Sequence, residues 1–127
     1  DSLNEINYGE VDGKDLEFLS SNYPGIIEKW EFGEDPKFPN GENTMDVYKR
    51  ALRFIGNLKN IKKNKILICT HNVFLRTIIG GYFKIPLKDW YKITIPFFEP
   101  IKFIITKDNR FYIELTNNQI KEIFKNL

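Results

Sequence analysis

The chain has 127 residues, 42% of them hydrophobic and 15% aromatic, which is enough for one packed domain and excludes wholesale disorder. Its formal net charge of +2 is near neutral, so a basic nucleic-acid-binding surface is not indicated. The single cysteine excludes an internal disulfide, and no apolar run resembles a signal peptide or a membrane span. We therefore expect a cytoplasmic protein that binds neither nucleic acid nor membrane.

The N-terminal third is predicted to be loops and short helices. Residues 1–14 form a loop, in which Gly9 and Gly13 supply backbone conformations that other residues resist. Residues 15–30 favour two short helices around a turn at Pro24, because proline interrupts the apolar pattern. Proline and glycine then mark a loop over residues 31–43.

A helix is predicted from the cap at Asn43 or Thr44 to about Leu58, with apolar residues at i, i+3 and i+4 spacing. Asp46 and Arg50 stand at i, i+4 and are expected to support each other on its surface.

The centre of the chain is an apolar run that leads into a second helical pattern. Residues 65–70 predict a strand covered on both faces, with Cys69 as a buried thiol. The only histidine, His71, follows directly, and Thr70 and Asn72 are good helix-start residues. A strand-to-helix junction of an α/β sheet presents unpaired N–H groups, so it suits an anion such as phosphate.

The C-terminal third predicts a short helical turn at residues 87–91, an extended connection at 95–100 and a β-hairpin. The hairpin joins residues 101–106 and 110–115 through a turn at Lys107-Asp108-Asn109. A helix capped at Thr116 or Asn117 is predicted to reach Leu127, with inward-facing apolar residues at Ile120, Ile123 and Phe124. Strands alternating with helices indicate an α/β domain.

Three stretches together resemble the histidine phosphatase superfamily, also called the phosphoglycerate mutase-like fold. Residues 3–13 match its pattern L-x-E-x-x-x-G-x-x-x-G, and residues 38–43 with Asp46 and Arg50 match P-x-G-E-S…D…R, with Asn43 in place of serine. Residues 66–76 match its apolar strand followed by [ST]-H and a later arginine. The resemblance implies an α/β sandwich: a mostly parallel sheet flanked by helices, with a C-terminal β-hairpin. It covers nearly the whole chain, as a single partial domain over residues 1–127 that is incomplete at the N-terminus.

The resemblance also implies a site. Glu5 matches the acid that protonates the leaving-group oxygen, and His71 matches a pocket histidine that hydrogen-bonds the phosphoryl group. Asn72, Tyr8 and Arg76 match positions that line or contact the substrate pocket, and no metal or cofactor is implied. Three of these residues also have a non-catalytic interpretation: Glu5 as a surface carboxylate, His71 as a helix cap and Arg76 as a partner in a structural ion pair. Glu42 and Arg50 are interpreted as structural, with Glu42 bonding backbone N–H groups in the turn before the helix and Arg50 pairing with a carboxylate.

The family's nucleophile, the histidine of an R-H-G motif, has no counterpart in these residues, because His71 is the only histidine. We therefore expect a missing N-terminal segment, or a second copy of the chain, to pair with the strand at residues 65–70, which would otherwise be a bare apolar edge. The favoured function is hydrolysis of a small phosphorylated metabolite through a phosphohistidine supplied by that segment, with this chain inactive alone. The alternatives are a non-catalytic binding or interaction module, a phosphoglycerate mutase, and an unrelated α/β domain. Absence of the mutases' long insertion before P-x-G-E favours a phosphatase.

Overall fold

The computed structural model describes residues 2–108 and 110–127. Within them, helices and one β-hairpin supply the regular structure, and short 3-10 turns lie at Gly9–Val11 and Leu87–Lys92. The elements are α1 (Leu16–Asn22), α2 (Pro24–Glu31), α3 (Thr44–Leu58), α4 (Asn72–Tyr82), β1 (Lys102–Ile105), β2 (Phe111–Glu114) and α5 (Asn117–Ile123).

The two short helices predicted for residues 15–30 are confirmed as α1 and α2. Asp15 caps α1 by accepting a hydrogen bond from the Phe18 N–H at 2.8 Å. Pro24 occupies the first turn of α2, where its missing N–H costs nothing. The predicted special conformations of Gly9 and Gly13 are also confirmed, with φ of 57° and 71°.

Helix α3 forms as predicted, with a reciprocal capping box between Asn43 and Asp46. Its inward face includes Val47 and Ala51, which are fully buried. The expected pairing of Asp46 with Arg50 is wrong. Asp46 lies 2.9 Å from the ammonium of Lys37, and the guanidinium of Arg50 points instead to Glu42.

Helix α4 packs against α3 through the centre of the core. The Phe54 and Phe74 rings meet edge to face with centroids 6.3 Å apart. Close packing also depends on Gly81, because a Cβ there would overlap the ring of Tyr48. The position of α4 fixes where its N-terminus, and with it His71, lies.

The segment before α4 differs from the prediction. Residues 65–70 have no strand partner in the part of the chain that the structure describes, so the mostly parallel sheet is not confirmed. The side chains of Ile66 and Leu67 are 44% and 88% exposed, and Cys69 is exposed rather than buried. The predicted buried strand at residues 65–70 is therefore not formed among the described residues, because burial requires neighbouring strands, which these residues do not provide.

The C-terminal hairpin is confirmed: β1 and β2 pair antiparallel, with Phe103 opposite Ile113. Of its predicted turn, Asn109 lies outside the described residues. Helix α5 is capped by Thr116 as predicted but ends at Ile123, short of Leu127. Ile123 is fully buried, whereas Ile120 is 45% exposed. Among the described residues, no helix has the length and apolar character needed to cross a membrane.

Candidate active site

His71 is the N-cap residue of α4, with extended backbone angles of φ −116° and ψ 170°. Its side chain is exposed and, within the described residues, makes no capping hydrogen bond to the helix. The imidazole therefore does not cap α4, and the N–H groups of its first turn need other acceptors.

Glu5 takes the position that a capping side chain would otherwise fill. Its two carboxylate oxygens lie 3.2 and 3.3 Å from the backbone nitrogen of Val73, which donates to them. The Ile6 N–H donates to the same carboxylate at 2.9 Å. A loop residue 68 positions away thus places its negative charge at the positive end of α4, beside His71.

Two side chains anchor the backbone of the Glu5 loop. The Thr70 hydroxyl donates to the Leu3 carbonyl at 2.7 Å, which ties the loop to the residue before His71. Arg50 on α3 donates to the carbonyls of Asn4 and Glu5 at 2.8 and 3.0 Å.

Glu42 joins this anchor from the neighbouring loop, and the backbone N–H that it bonds is that of Asn7 rather than the predicted one in the turn before α3. Its carboxylate accepts from Arg50 at 2.9 and 3.0 Å and from the Asn7 N–H at 3.0 Å. Burial opposes ionisation of Glu42, but the hydrogen bonds from Arg50 and Asn7 and the charge of Arg50 outweigh it, so the pKa of Glu42 lies below its ordinary value.

The two loops meet at glycines. A Cβ on Gly41 would overlap the Asn7 carbonyl, and a Cβ on Gly9 would overlap the Pro39 carbonyl. The backbones bond directly, with Glu42 N–H donating to the Asn7 carbonyl at 2.8 Å. The glycines of the first two motifs therefore permit the contact that positions Glu5.

Tyr8 lies in the electrostatic neighbourhood of the same site. Burial raises the pKa of Tyr8, the charge of Glu5 raises it further, the charge of Arg76 opposes both, and Asp12 adds a smaller increase. The ring packs edge to face on Phe38 with centroids 5.1 Å apart. The charges of Glu5 and Arg76 thus both act on the Tyr8 phenol.

Asn72 and Arg76 lie on the first turns of α4. The Nε of Arg76 donates to the Ile93 carbonyl at 2.8 Å, a contact that fits the structural alternative. The Oδ1 of Asn72 is buried and has no hydrogen-bond partner among the described residues. A buried acceptor without a donor costs about 1–3 kcal/mol.

The structure brings Glu5 to the N-terminus of α4, the helix that begins after His71. A side-chain separation of roughly 4–8 Å between them, the reach of one phosphoryl group, stays a prediction. So do the substrate contacts of Asn72, Tyr8 and Arg76.

Sequence reasoning missed two contacts of the site, Thr70 with Leu3 and Arg50 with the loop carbonyls. Thr70 lies in the third motif and Arg50 in the second, but no local spacing pattern predicts either contact.

Two surface grooves of about 430 and 720 Å³ lie away from this site, along α1 and between residues 94–99 and α5. Within residues 2–108 and 110–127, no three His, Cys, Asp or Glu side chains cluster as metal ligands would.

Comparison with known proteins agrees with the geometry. No curated protein matches the chain. The family model of the histidine phosphatase superfamily (branch 1) matches residues 1–119, which include Glu5, Arg50 and His71. The chain therefore belongs to the histidine phosphatase superfamily.

Proposed function

We propose that this chain forms the proton-donor side of an active site that hydrolyses a small phosphomonoester through a phosphohistidine. The observation that carries the proposal is the contact of the Glu5 carboxylate with the N–H of Val73, two residues after His71. Membership of a superfamily of phosphatases and mutases supports phosphoryl transfer as the reaction class.

In the first step, a histidine nitrogen forms a bond to phosphorus while the bond from phosphorus to the substrate's ester oxygen breaks. Glu5 gives its proton to that oxygen, which leaves as an alcohol. Water then attacks the phosphohistidine, its proton returns to Glu5, and phosphate is released. His71 and the N–H groups of α4 stabilise the charge on the phosphoryl oxygens.

The nucleophile in this scheme is a second histidine. The 127 residues contain only His71, so the proposal places the nucleophile on a segment outside this sequence. That segment would pair with residues 65–70, whose exposed Ile66 and Leu67 suit a neighbouring strand.

Substrate binding requires Glu5 to exchange partners. In the structure its carboxylate accepts the N–H that a phosphoryl oxygen would use. A phosphate ester arriving at α4 displaces Glu5 toward the ester oxygen, and the carboxylate takes up a proton from solvent before it acts there as the acid. The small phosphorylated metabolite thus competes with Glu5 for one donor.

A second candidate function is a non-catalytic binding module. The exposed apolar segment at residues 65–70 favours it, since such a surface suits an interaction partner. A phosphoglycerate mutase is the other alternative, because it uses the same phosphohistidine.

The test is a phosphoenzyme assay with a radiolabelled phosphomonoester. The 127-residue chain alone should neither turn over p-nitrophenyl phosphate nor take up label. The same chain joined to a segment that ends in R-H-G should do both, and the label should be labile in acid. Phosphate transfer to a second substrate position would indicate a mutase, and absence of label in the joined protein would favour the binding module. Turnover by the 127 residues alone would contradict the mechanism.

A further inference from the structure

We propose that Arg50, locked by Glu42, is the positioning residue of the candidate acid, fixing the backbone on both sides of Glu5 so that its carboxylate lies at α4. This inference rests on the proposed function for its catalytic meaning, but the positioning itself is a property of the chain.

Every N–H of the Arg50 guanidinium has an acceptor. Nε and Nη2 donate to the two oxygens of Glu42 at 2.9 and 3.0 Å, a bidentate pair. Nη1 donates to the carbonyls of Ser2 and Asn4 at 3.0 and 2.8 Å, and Nη2 donates to that of Glu5 at 3.0 Å. An arginine has five donors, and three of them here go to the backbone of residues 2–5.

The pair is too enclosed to be an incidental surface contact. The side chains of Arg50 and Glu42 are only 12% and 23% exposed. The guanidinium also lies 5.9 Å from the ring centroid of Phe74, on α4 itself. Arg50 therefore contacts the helix that carries the site as well as the loop that carries the acid.

Glu42 also anchors the backbone on the C-terminal side of Glu5. Its Oε2 accepts from the Asn7 N–H at 3.0 Å while it accepts from Arg50. One ion pair thus fixes the carbonyls of Asn4 and Glu5 and the N–H of Asn7. These contacts restrain the backbone of residues 4–7 on both sides of the Glu5 side chain.

Other contacts attach the loop without Arg50. Thr70 holds the Leu3 carbonyl, Glu42 N–H holds the Asn7 carbonyl, and Glu10 N–H holds the Pro39 carbonyl. Loss of Arg50 should therefore leave the loop docked while residues 4–6 shift. This separates positioning from a general role in folding.

The test is the Val73 amide resonance of the 127-residue chain, followed during acid titration. An amide that donates to a carboxylate shifts when the carboxylate gains its proton, so wild-type Val73 should titrate with Glu5. Arg50→Gln and Arg50→Lys should both lose this titration, because lysine keeps the charge beside Glu42 but cannot reach three carbonyls. Arg53→Gln, an exposed arginine on the same helix, is the control and should keep it.

Rescue by Arg50→Lys, with full Val73 titration, would overturn the proposal, since it would show that charge alone suffices. If Arg50→Gln does not fold, Arg50→Lys decides, and unfolding of both would overturn it as well by showing a role in the whole fold. In the protein joined to an R-H-G segment, Arg50→Lys should lower kcat for an alkyl phosphate by about 10²-fold with KM little changed. If the Arg50 variants lose the Val73 titration but the joined wild-type protein never hydrolyses a phosphate ester, the positioning role is upheld and the proposed function is rejected.

Discussion

The carboxylate of Glu5 accepts hydrogen bonds from the backbone N–H of Val73, with its two oxygens 3.2 and 3.3 Å from that nitrogen. The contact joins a glycine-bearing loop to the N-terminus of α4, directly after His71. It puts a carboxylate where a helix N-terminus favours negative charge, which is also where a phosphoryl group would bind. The residue that we propose as the acid therefore lies where a helix N-terminus would bind an anion.

Glu5→Gln should slow hydrolysis of an alkyl phosphate by about 10²–10⁴-fold in the protein that has its nucleophilic histidine, because glutamine cannot supply a proton. The loss should be smaller for p-nitrophenyl phosphate, whose leaving group needs little protonation. Steady-state rates on the two substrates measure this, with the exposed Glu17 as the control position. Equal losses on both substrates would assign Glu5 a different role.

The Arg50–Glu42 pair should make the fold sensitive to acid. The pKa of Glu42 in the folded chain lies below its ordinary value of 4.5, so its contribution to stability is complete above pH 4.5 and is lost as the pH falls through the lower folded value. Urea unfolding at a series of pH values should show this decline. Glu42→Gln should flatten it, whereas Glu31→Gln, on an exposed residue, should not. An unchanged pH profile in Glu42→Gln would contradict the account.

Two helical glycines should respond oppositely to alanine. A Cβ on Gly56 in α3 meets nothing within 4 Å, so Gly56→Ala should stabilise the chain by about 0.5–1 kcal/mol. A Cβ on Gly80 in α4 would lie 2.5 Å from Trp90 Nε1, so Gly80→Ala should destabilise it by about 1–3 kcal/mol. Denaturant unfolding of the two variants compares them directly. Equal effects would mean that α4 does not pack on Trp90 as described.

The exposed segment at residues 65–70 should promote association. Leu67→Lys should reduce self-association of the chain in sedimentation experiments, because it charges the most exposed apolar side chain of the segment. Its effect on unfolding free energy should stay within about 0.5 kcal/mol, as for other surface changes. A wild-type chain that stays monomeric at high concentration with this segment open would contradict the proposal that another strand pairs with it.

Local signals predicted the helices well, and long-range contacts defined the site. Asn43 and Thr116 were readable as caps because capping chemistry lies within three residues along the chain. The family resemblance assigned Glu5 and His71 to one pocket, but the contact of Glu5 with Val73 was not predicted, since no spacing rule links residues 68 apart.

Two incorrect predictions, the strand at residues 65–70 and the Asp46–Arg50 pair, also failed because long-range contacts decide the outcome. Residues 65–70 have the composition of a buried strand, but burial depends on neighbours that composition does not specify. Asp46 and Arg50 had favourable i, i+4 spacing, yet Arg50 bonds Glu42 and three loop carbonyls instead. These contacts together stabilise the arginine more than a single surface ion pair would.

The central claim is that Glu5 and His71 share one phosphate site, and inorganic phosphate tests it on the 127-residue chain. Because His71 is the only histidine, its ring gives a single set of resonances, and the Val73 amide reports on Glu5. As phosphate is added, both signals should shift together and saturate with one dissociation constant, because phosphate takes the Val73 N–H beside the His71 ring. Saturation of only one signal, or movement of neither, would contradict a shared site.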